Sequence, residues 1–544
     1  MNTYTNKDYP IFYWRSLNPT DISPKDILIG NCIKFCVTNY KITIDIPFPS
    51  TDFLYYKKTD SELIISSDMR LLYDEFEKIN TAGIASLLIL GATIPPLTPF
   101  KEIFTFLPGL KYEIDLKSLK VISSLSCDWT SPTQKDFSLE SNNQLQILSS
   151  KLDDNIRAHC SSTNPIVLFS GGVDSSVIAS RLSAMKWKNT TLVHCSFGDI
   201  DKETKLASSI AAALNMSLDV ITWNKDLGFE VLEKSASLYR EPFCDTSCVP
   251  THALTQAVRS RYDAERTVLD GTGADGAFGL LAKENMTKLL YRVPRIFRQP
   301  LGSLYGLLNL WKHPNKLEYY IRILKRSSIL PALPSSIASN PMANIGYFIE
   351  SEDIAAISNF SEVWIESVAN SQTHLGKLSL MDIGLVCAKI FAQKNKSPFN
   401  SYSMDIRYPF LDKDIVDLAL SHARFWPGSH EQKGLLKRLL ATTIPYELVY
   451  RKKSGFLAPL EEQFGTNFML ESLESVLNDR APLYGYINKK VVVNLIGHLK
   501  SKRILPLQTY NYLWAIAFTN SWLSQIKEVS AQLKKTYDIP THFA

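Results

Sequence analysis

Ser170, Asp174 and Ser175 stand around a Gly171-Gly172 pair in the stretch NPIVLFSGGVDSSVIASRL, residues 164–182. Two hydroxyls, one carboxylate and the backbone amides of a tight turn form a set that suits a phosphate and its cation. A glycine turn that opens a helix aims free N–H groups and the positive end of the helix dipole at whatever sits over it, which favours an anion. A carboxylate beside a triphosphate makes chemical sense mainly as a magnesium ligand, so Asp174 is the first expected metal ligand. A Walker-type loop would carry a lysine inside the turn, and this turn has none.

The flanking pattern supplies the elements that such a turn needs. The apolar run 166–169 predicts a strand, and Val173, Val177, Ile178 and Leu182 recur at helical spacing behind the glycines. From residue 145 onward strands and helices alternate: IVLFS at 166–170, a helix from 174, TLVHCSF at 191–197, a helix through KETKLASSIAAALN, LDVITW at 218–223 and RTVLDG at 266–271. Alternation of this kind predicts an α/β fold with a doubly wound parallel sheet, whose ligands bind beyond the carboxyl ends of the strands. Both glycine turns, at 170–172 and 271–273, fall at such ends. Beyond residue 280 the pattern is almost wholly helical. The basic and aromatic stretch KLLYRVPRIFRQPLGSLYGLLNLWKHPNKLEYYIRILKRSS is expected to be a solvated helix face, because its apolar positions recur as a core stripe needs.

Residues 1–140 differ in kind. CIKFCVTNYKITIDIPF, SELIISSD and LKYEIDLKSLKVISSL are rich in β-branched and aromatic residues and predict a smaller, mostly β domain. The polar segment DWTSPTQKDFSLESNNQ, 128–144, lacks apolar periodicity and is the expected linker to a second domain over 145–544.

Bulk properties exclude several classes. At 544 residues the chain exceeds one ordinary core, and 45% hydrophobic with 21% charged residues is a globular balance. A net charge of +5 is small for this length, which argues against nucleic acid as a partner. The N-terminus lacks the basic start and apolar core of a secretory signal, and the longest apolar stretch, AGIASLLILGATIPPL, is short and broken by proline. A cytoplasmic protein that does not enter the membrane is expected. Eight cysteines without paired Cys-x-x-Cys spacing are expected to be buried, reduced thiols.

LFSGGVDSS resembles the pyrophosphate-releasing ATP loop shared by asparagine synthetases, argininosuccinate and GMP synthetases and several tRNA-modifying enzymes, all of which attack the α-phosphate. Three further segments resemble the asparagine synthetase group in order and spacing: LDGTGADGAFG at 269–279, MDIRYPFLDKDIVDLAL at 404–420 and KGLLKRLLATTIPYELVYRKKSGFLAPL at 433–460. The resemblance implies ATP and Mg²⁺ as cofactors, with Asp275 joining Asp174 on the metal. It implies nucleotide contacts from Leu168, Ser170, Gly171, Gly172, Asp174, Ser175, Gly271 and Gly273. Lys433 and Lys453 resemble the family's lysines near the pyrophosphate and the acyl-adenylate, where positive charge stabilises what builds up in the transition state, and Arg451 assists them. SELIISSDMRLLYD and GATIPPLTPFKEIFTFLPGLKYEID resemble the later half of the family's glutaminase domain. Its nucleophile is an N-terminal cysteine, whereas here Met1 is followed by Asn2 and the first cysteine is Cys32, which implies a degenerate glutaminase.

A second departure concerns the acceptor. The family motif Gly-Glu-Gly-x-Asp-Glu has Thr272 and Gly276 in place of its two glutamates here. Threonine is no general base near neutral pH. β-Lactam synthetases and lasso-peptide cyclases also depart at this position, and Glu241, Asp245 and His252 in REPFCDTSCVPTHAL are candidate substitutes, with Glu241 first. The expected activity is that of an ATP-dependent, AMP-forming carbon–nitrogen ligase. A specialised amide, lactam or macrolactam synthetase, such as a lasso-peptide cyclase served by a precursor peptide and a processing protease, is favoured over an asparagine synthetase fed by ammonia. A tRNA-modifying ATP pyrophosphatase and an inactive scaffold are the alternatives from other classes.

Overall fold

In a computed structural model of the chain the described residues are, apart from short breaks, 5–15, 25–125, 141–279, 292–301, 374–420, 432–451 and 464–539, with a few positions between 353 and 364. Of the linker expected at 128–144, residues 128–140 lie outside them and the last four positions instead open the helix Ser141–His159, while most of the basic, aromatic stretch at 288–328 lies outside them.

The N-terminal part is a sandwich of two antiparallel sheets. One has five strands in the order Val121–Leu125, Leu110–Asp115, Lys41–Asp45, Ile33–Val37 and Lys25–Ile29. The other has four, in the order Tyr13–Arg15, Leu63–Ser66, Tyr55–Lys58 and Ile103–Thr105. Ile33, Phe35, Ile42, Ile44 and Ile114 of the first sheet share a core with Trp14, Leu63 and Ile65 of the second. Their alternation with exposed or half-buried neighbours is what a sheet with one wet face requires. The four-stranded sheet is different: all of Leu63–Ser66 is buried, and Tyr13, Tyr55 and Ile64 on its far face join the large core of the rest of the chain.

One element of this mostly β part is helical. AGIASLLIL forms the helix Thr81–Leu90, capped by the Asn80 side chain on the Gly83 amide and closed by left-handed Gly91. Nine of its residues are buried, so an apolar surface all round is satisfied by packing on every side.

The second part is built on a five-stranded sheet in the order Ser217–Thr222, Thr191–Ser196, Ile166–Leu168, Val268–Leu269 and Ile406–Arg407. Every pairing in it is parallel. The first strand in sequence lies in the middle and its neighbours leave in opposite directions, which opens a crevice at the carboxyl ends of Ile166–Leu168 and Val268–Leu269. The last strand, Ile406–Arg407, comes from MDIRYPFLD, a segment that the alternation of apolar runs does not mark as a strand. Among the described residues that follow, the named elements are all helices, and Leu507–Thr536 packs against both Ser235–Leu238 and the N-terminal turn Met69–Leu71. Among the described residues no helix is long and apolar enough to cross a membrane. Cys160, Cys195, Cys244, Cys248 and Cys387 are buried free thiols, as expected, whereas Cys36 is free but only half-buried, and Cys32 and Cys127 lie outside the described residues.

Candidate active site

The strand Ile166–Leu168 carries Leu168 at its end and runs into the glycine turn and the helix Val173–Ala184. Serines shape the turn: the Ser170 amide donates to Ser175 Oγ at 3.3 Å and the Gly172 amide to Ser170 Oγ at 3.2 Å. Gly171 has a φ of +72°, and a Cβ on it would lie 3.1 Å from the Ala207 backbone. A side chain there is excluded by conformation and by space. Gly172 is the helix N-cap and has no side-chain capping bond, so the start of the helix faces the crevice.

The second turn follows Val268–Leu269 in the same way. The Thr272 amide donates to Asp270 Oδ1 at 2.9 Å, Gly273 takes a φ of +107°, and the short helix Ala274–Phe278 opens with Asp275 in its first turn. The two turns touch. A Cβ on Gly271 would come within 2.9 Å of Asp174 Cβ and 3.1 Å of the Ser175 amide nitrogen. Gly271→Ala is therefore expected to displace the first turn at a cost of about 1–3 kcal/mol. Titration with ATP beside a thermal melt checks it: affinity should fall by more than the folded fraction does.

Asp174 and Asp275 converge on one ammonium. Lys433 Nζ lies 2.6 Å from both oxygens of Asp174 and 2.8 Å from Asp275 Oδ1. Lys433 is 5% exposed and precedes the helix Gly434–Leu440 with a left-handed φ of 59°. Burial pushes its ammonium down, but Asp174 and then Asp275 outweigh it, and the group is held above the ordinary lysine value. Gln432 Nε2 donates to Asp275 Oδ1 at 3.3 Å and to the Gly279 carbonyl at 3.2 Å. Arg451 donates to the Gly171 carbonyl at 2.9 Å. Burial lowers the Arg451 guanidinium from its ordinary value, against the pull of Glu203.

A cavity of about 270 Å³ opens over these groups, lined by the first turn with Glu203, Lys433, Lys437, Leu448 and Arg451 among others. Sequence reasoning missed Gln432, Lys437 and Glu203. Lys437 could have been found, because it stands four residues after Lys433 and so on the same helix face.

The acceptor-side candidates have partners of their own. Glu241 is 6% exposed, accepts from Tyr55 Oη at 2.7 Å and Thr93 Oγ1 at 2.9 Å, and pairs with Lys389 Nζ at 3.0 Å. Burial first and Glu241 next push the Tyr55 phenol well up, so it stays protonated and donates. Asp245 accepts from the amide and hydroxyl of Ser247 and pairs with Lys394 at 3.2 Å. His252 is 1% exposed, beside Gln256 and Glu230, and burial lowers its pKa. Lys453 lies outside the described residues.

The donor set fits magnesium held together with a nucleotide. Two carboxylates from separate turns meet within reach of one cation, and among the described residues no group of three or more His, Cys, Asp or Glu side chains could hold a metal without it. Magnesium is commonly bound by one or two carboxylates, with phosphate oxygens and water completing its octahedron.

A family profile described as asparagine synthase matches residues 148–524, more than half of the chain and the whole of the parallel sheet. No curated protein matches it.

Proposed function

The chain belongs to the asparagine synthase family of ATP-dependent amide-bond ligases, and from that premise we propose that it activates a substrate carboxylate as an acyl-adenylate and passes the acyl group to an amine. The observation that carries the proposal is the meeting of Asp174, Asp275 and Lys433 over a helix start at the switch point of the sheet. A carboxylate oxygen forms a bond to the α-phosphorus, the α–β bridging bond breaks, and pyrophosphate leaves. The amine then attacks the acyl carbon, AMP leaves with the carboxylate's oxygen, and one proton is released.

The first turn binds phosphate oxygens through the amides at its helix start and through Ser170 and Ser175. Asp174 and Asp275 would hold Mg²⁺, which when bound neutralises charge on the phosphates. Lys433 and Lys453 are assigned to the charge that builds up on the pyrophosphate and on the acyl-adenylate, and Arg451 fixes the turn by its bond to Gly171. Glu241 is kept as the carboxylate that takes the amine's proton.

The amine is proposed to come from a larger substrate, as in lactam or macrolactam formation on a peptide. Two features support this over ammonia. Thr272 stands where the family's first glutamate would handle ammonia. At the second glutamate's position, a Cβ on Gly276 would meet Ile383 at 2.9 Å and Cys387 at 3.1 Å, so the wide helix Asp382–Ala392 closes over the space such a side chain needs. With a heavy-oxygen-labelled carboxylate substrate, one labelled oxygen is expected in AMP. Label in inorganic phosphate would contradict the adenylate route.

A further inference from the structure

Lys433 lies where a cation belongs. Its ammonium touches both oxygens of Asp174 and one of Asp275 at 2.6–2.8 Å, the two carboxylates assigned to the metal. An ammionium-sized group at those distances and a divalent cation on the same oxygens exclude each other by space and by charge. We propose that Lys433 is the internal counter-ion of this site, which keeps divalent metal off Asp174 and Asp275 until the phosphates of a nucleotide draw the ammonium away. The proposal rests on the assignment of those two carboxylates as metal ligands.

Three observations support an exchange of this kind. The root of the lysine is pinned: a Cβ on Gly279 would lie 2.9 Å from both the Lys433 backbone nitrogen and its Cγ, so the outer part of the side chain is the part left to swing. The Asp174 and Asp275 side chains are 25% and 43% exposed, so an incoming metal can reach them, whereas the Lys433 side chain is 6% exposed and shielded beneath. The cavity beside the ammonium is lined by Lys437 and Arg451 as well as by the first turn, a setting that attracts a polyphosphate and gives Lys433 new oxygens to bind. Metal and nucleotide therefore bind as one unit.

The test is Mn²⁺ titration of the full-length protein without nucleotide, followed by the electron-spin signal of free Mn²⁺. Lys433→Gln and Lys433→Met should bind Mn²⁺ at least about tenfold more tightly than wild type, because they remove the competing charge and leave the carboxylates. Lys433→Arg, which keeps the charge, should bind as weakly as wild type. Folded neutral variants that bind no more tightly than wild type would overturn the proposal. Should neither neutral variant fold, the wild type decides: nucleotide-free binding of Mn²⁺ that is lost in Asp174→Asn would equally overturn it. Failure of the underlying assignment looks different, for then Mn²⁺ binding in the presence of α,β-methylene-ATP would be undiminished by Asp174→Asn and by Asp275→Asn.

Discussion

Asp174→Asn and Asp275→Asn are each expected to lower the formation of AMP and pyrophosphate by at least about a thousandfold, since either removes a charge from the pair that holds the metal on the phosphates. Asparagine keeps the shape of the side chain, so the turns should persist. The helix start and the serines of the first turn are untouched by the Asp275 change, and nucleotide binding without metal should survive it. Pyrophosphate–ATP exchange measures the loss, and nucleotide titration in the absence of divalent cation shows that the crevice is intact. Retention of more than about a tenth of the wild-type rate by either variant would remove that carboxylate from the metal site.

Glu241→Ala is expected to cost about 3–5 kcal/mol of stability, because it strands the Lys389 ammonium in the interior. Lys389 is 2% exposed, and the partners of Glu241 come from both parts of the chain: Tyr55 from the N-terminal sandwich, Thr93 from the segment after the helix Thr81–Leu90, and Lys389 from the helix Asp382–Ala392. Urea unfolding measures the cost. Removing both charges with Glu241→Gln and Lys389→Met should restore much of it, since an unpaired buried charge and not the lost pair is what destabilises. The same double variant separates structure from chemistry. A base at Glu241 predicts that pyrophosphate exchange recovers with folding while amide formation does not. Recovery of both together would leave Glu241 as an anchor between the two parts of the molecule and move proton handling to another group.

The parts of this arrangement that were legible in the sequence are local. A strand, two glycines, an aspartate and a helix follow one another within 164–182, and no distant residue is needed to see that their amides and carboxylate face one ligand. The alternation of apolar runs likewise carried the parallel sheet. What was not legible depends on tertiary contact. Lys433 is 259 positions from Asp174, and its place between two carboxylates follows from the helix Gly434–Leu440 packing against Val173–Ala184. Ile406–Arg407 is a strand of two residues, too short for any periodicity, and exists because Val268–Leu269 offers it an edge. The helix Thr81–Leu90 is apolar on all faces, a pattern that does not distinguish a buried helix from buried strands. Glu241 could be singled out for its chemistry, but its burial comes from the sandwich docking on the second part, and nothing near it in sequence reports that.

The identity of the nucleotide product tests the central claim most directly. The protein is incubated with MgATP and a panel of amino-acid and peptide carboxylates with amines, and the products are resolved by phosphorus NMR. Wherever ATP is consumed in step with amide formation, AMP and pyrophosphate are expected in equal amounts, and neither should form in Asp174→Asn. Release of ADP and inorganic phosphate would contradict attack at the α-phosphate, and with it the roles given to Asp174, Asp275 and Lys433.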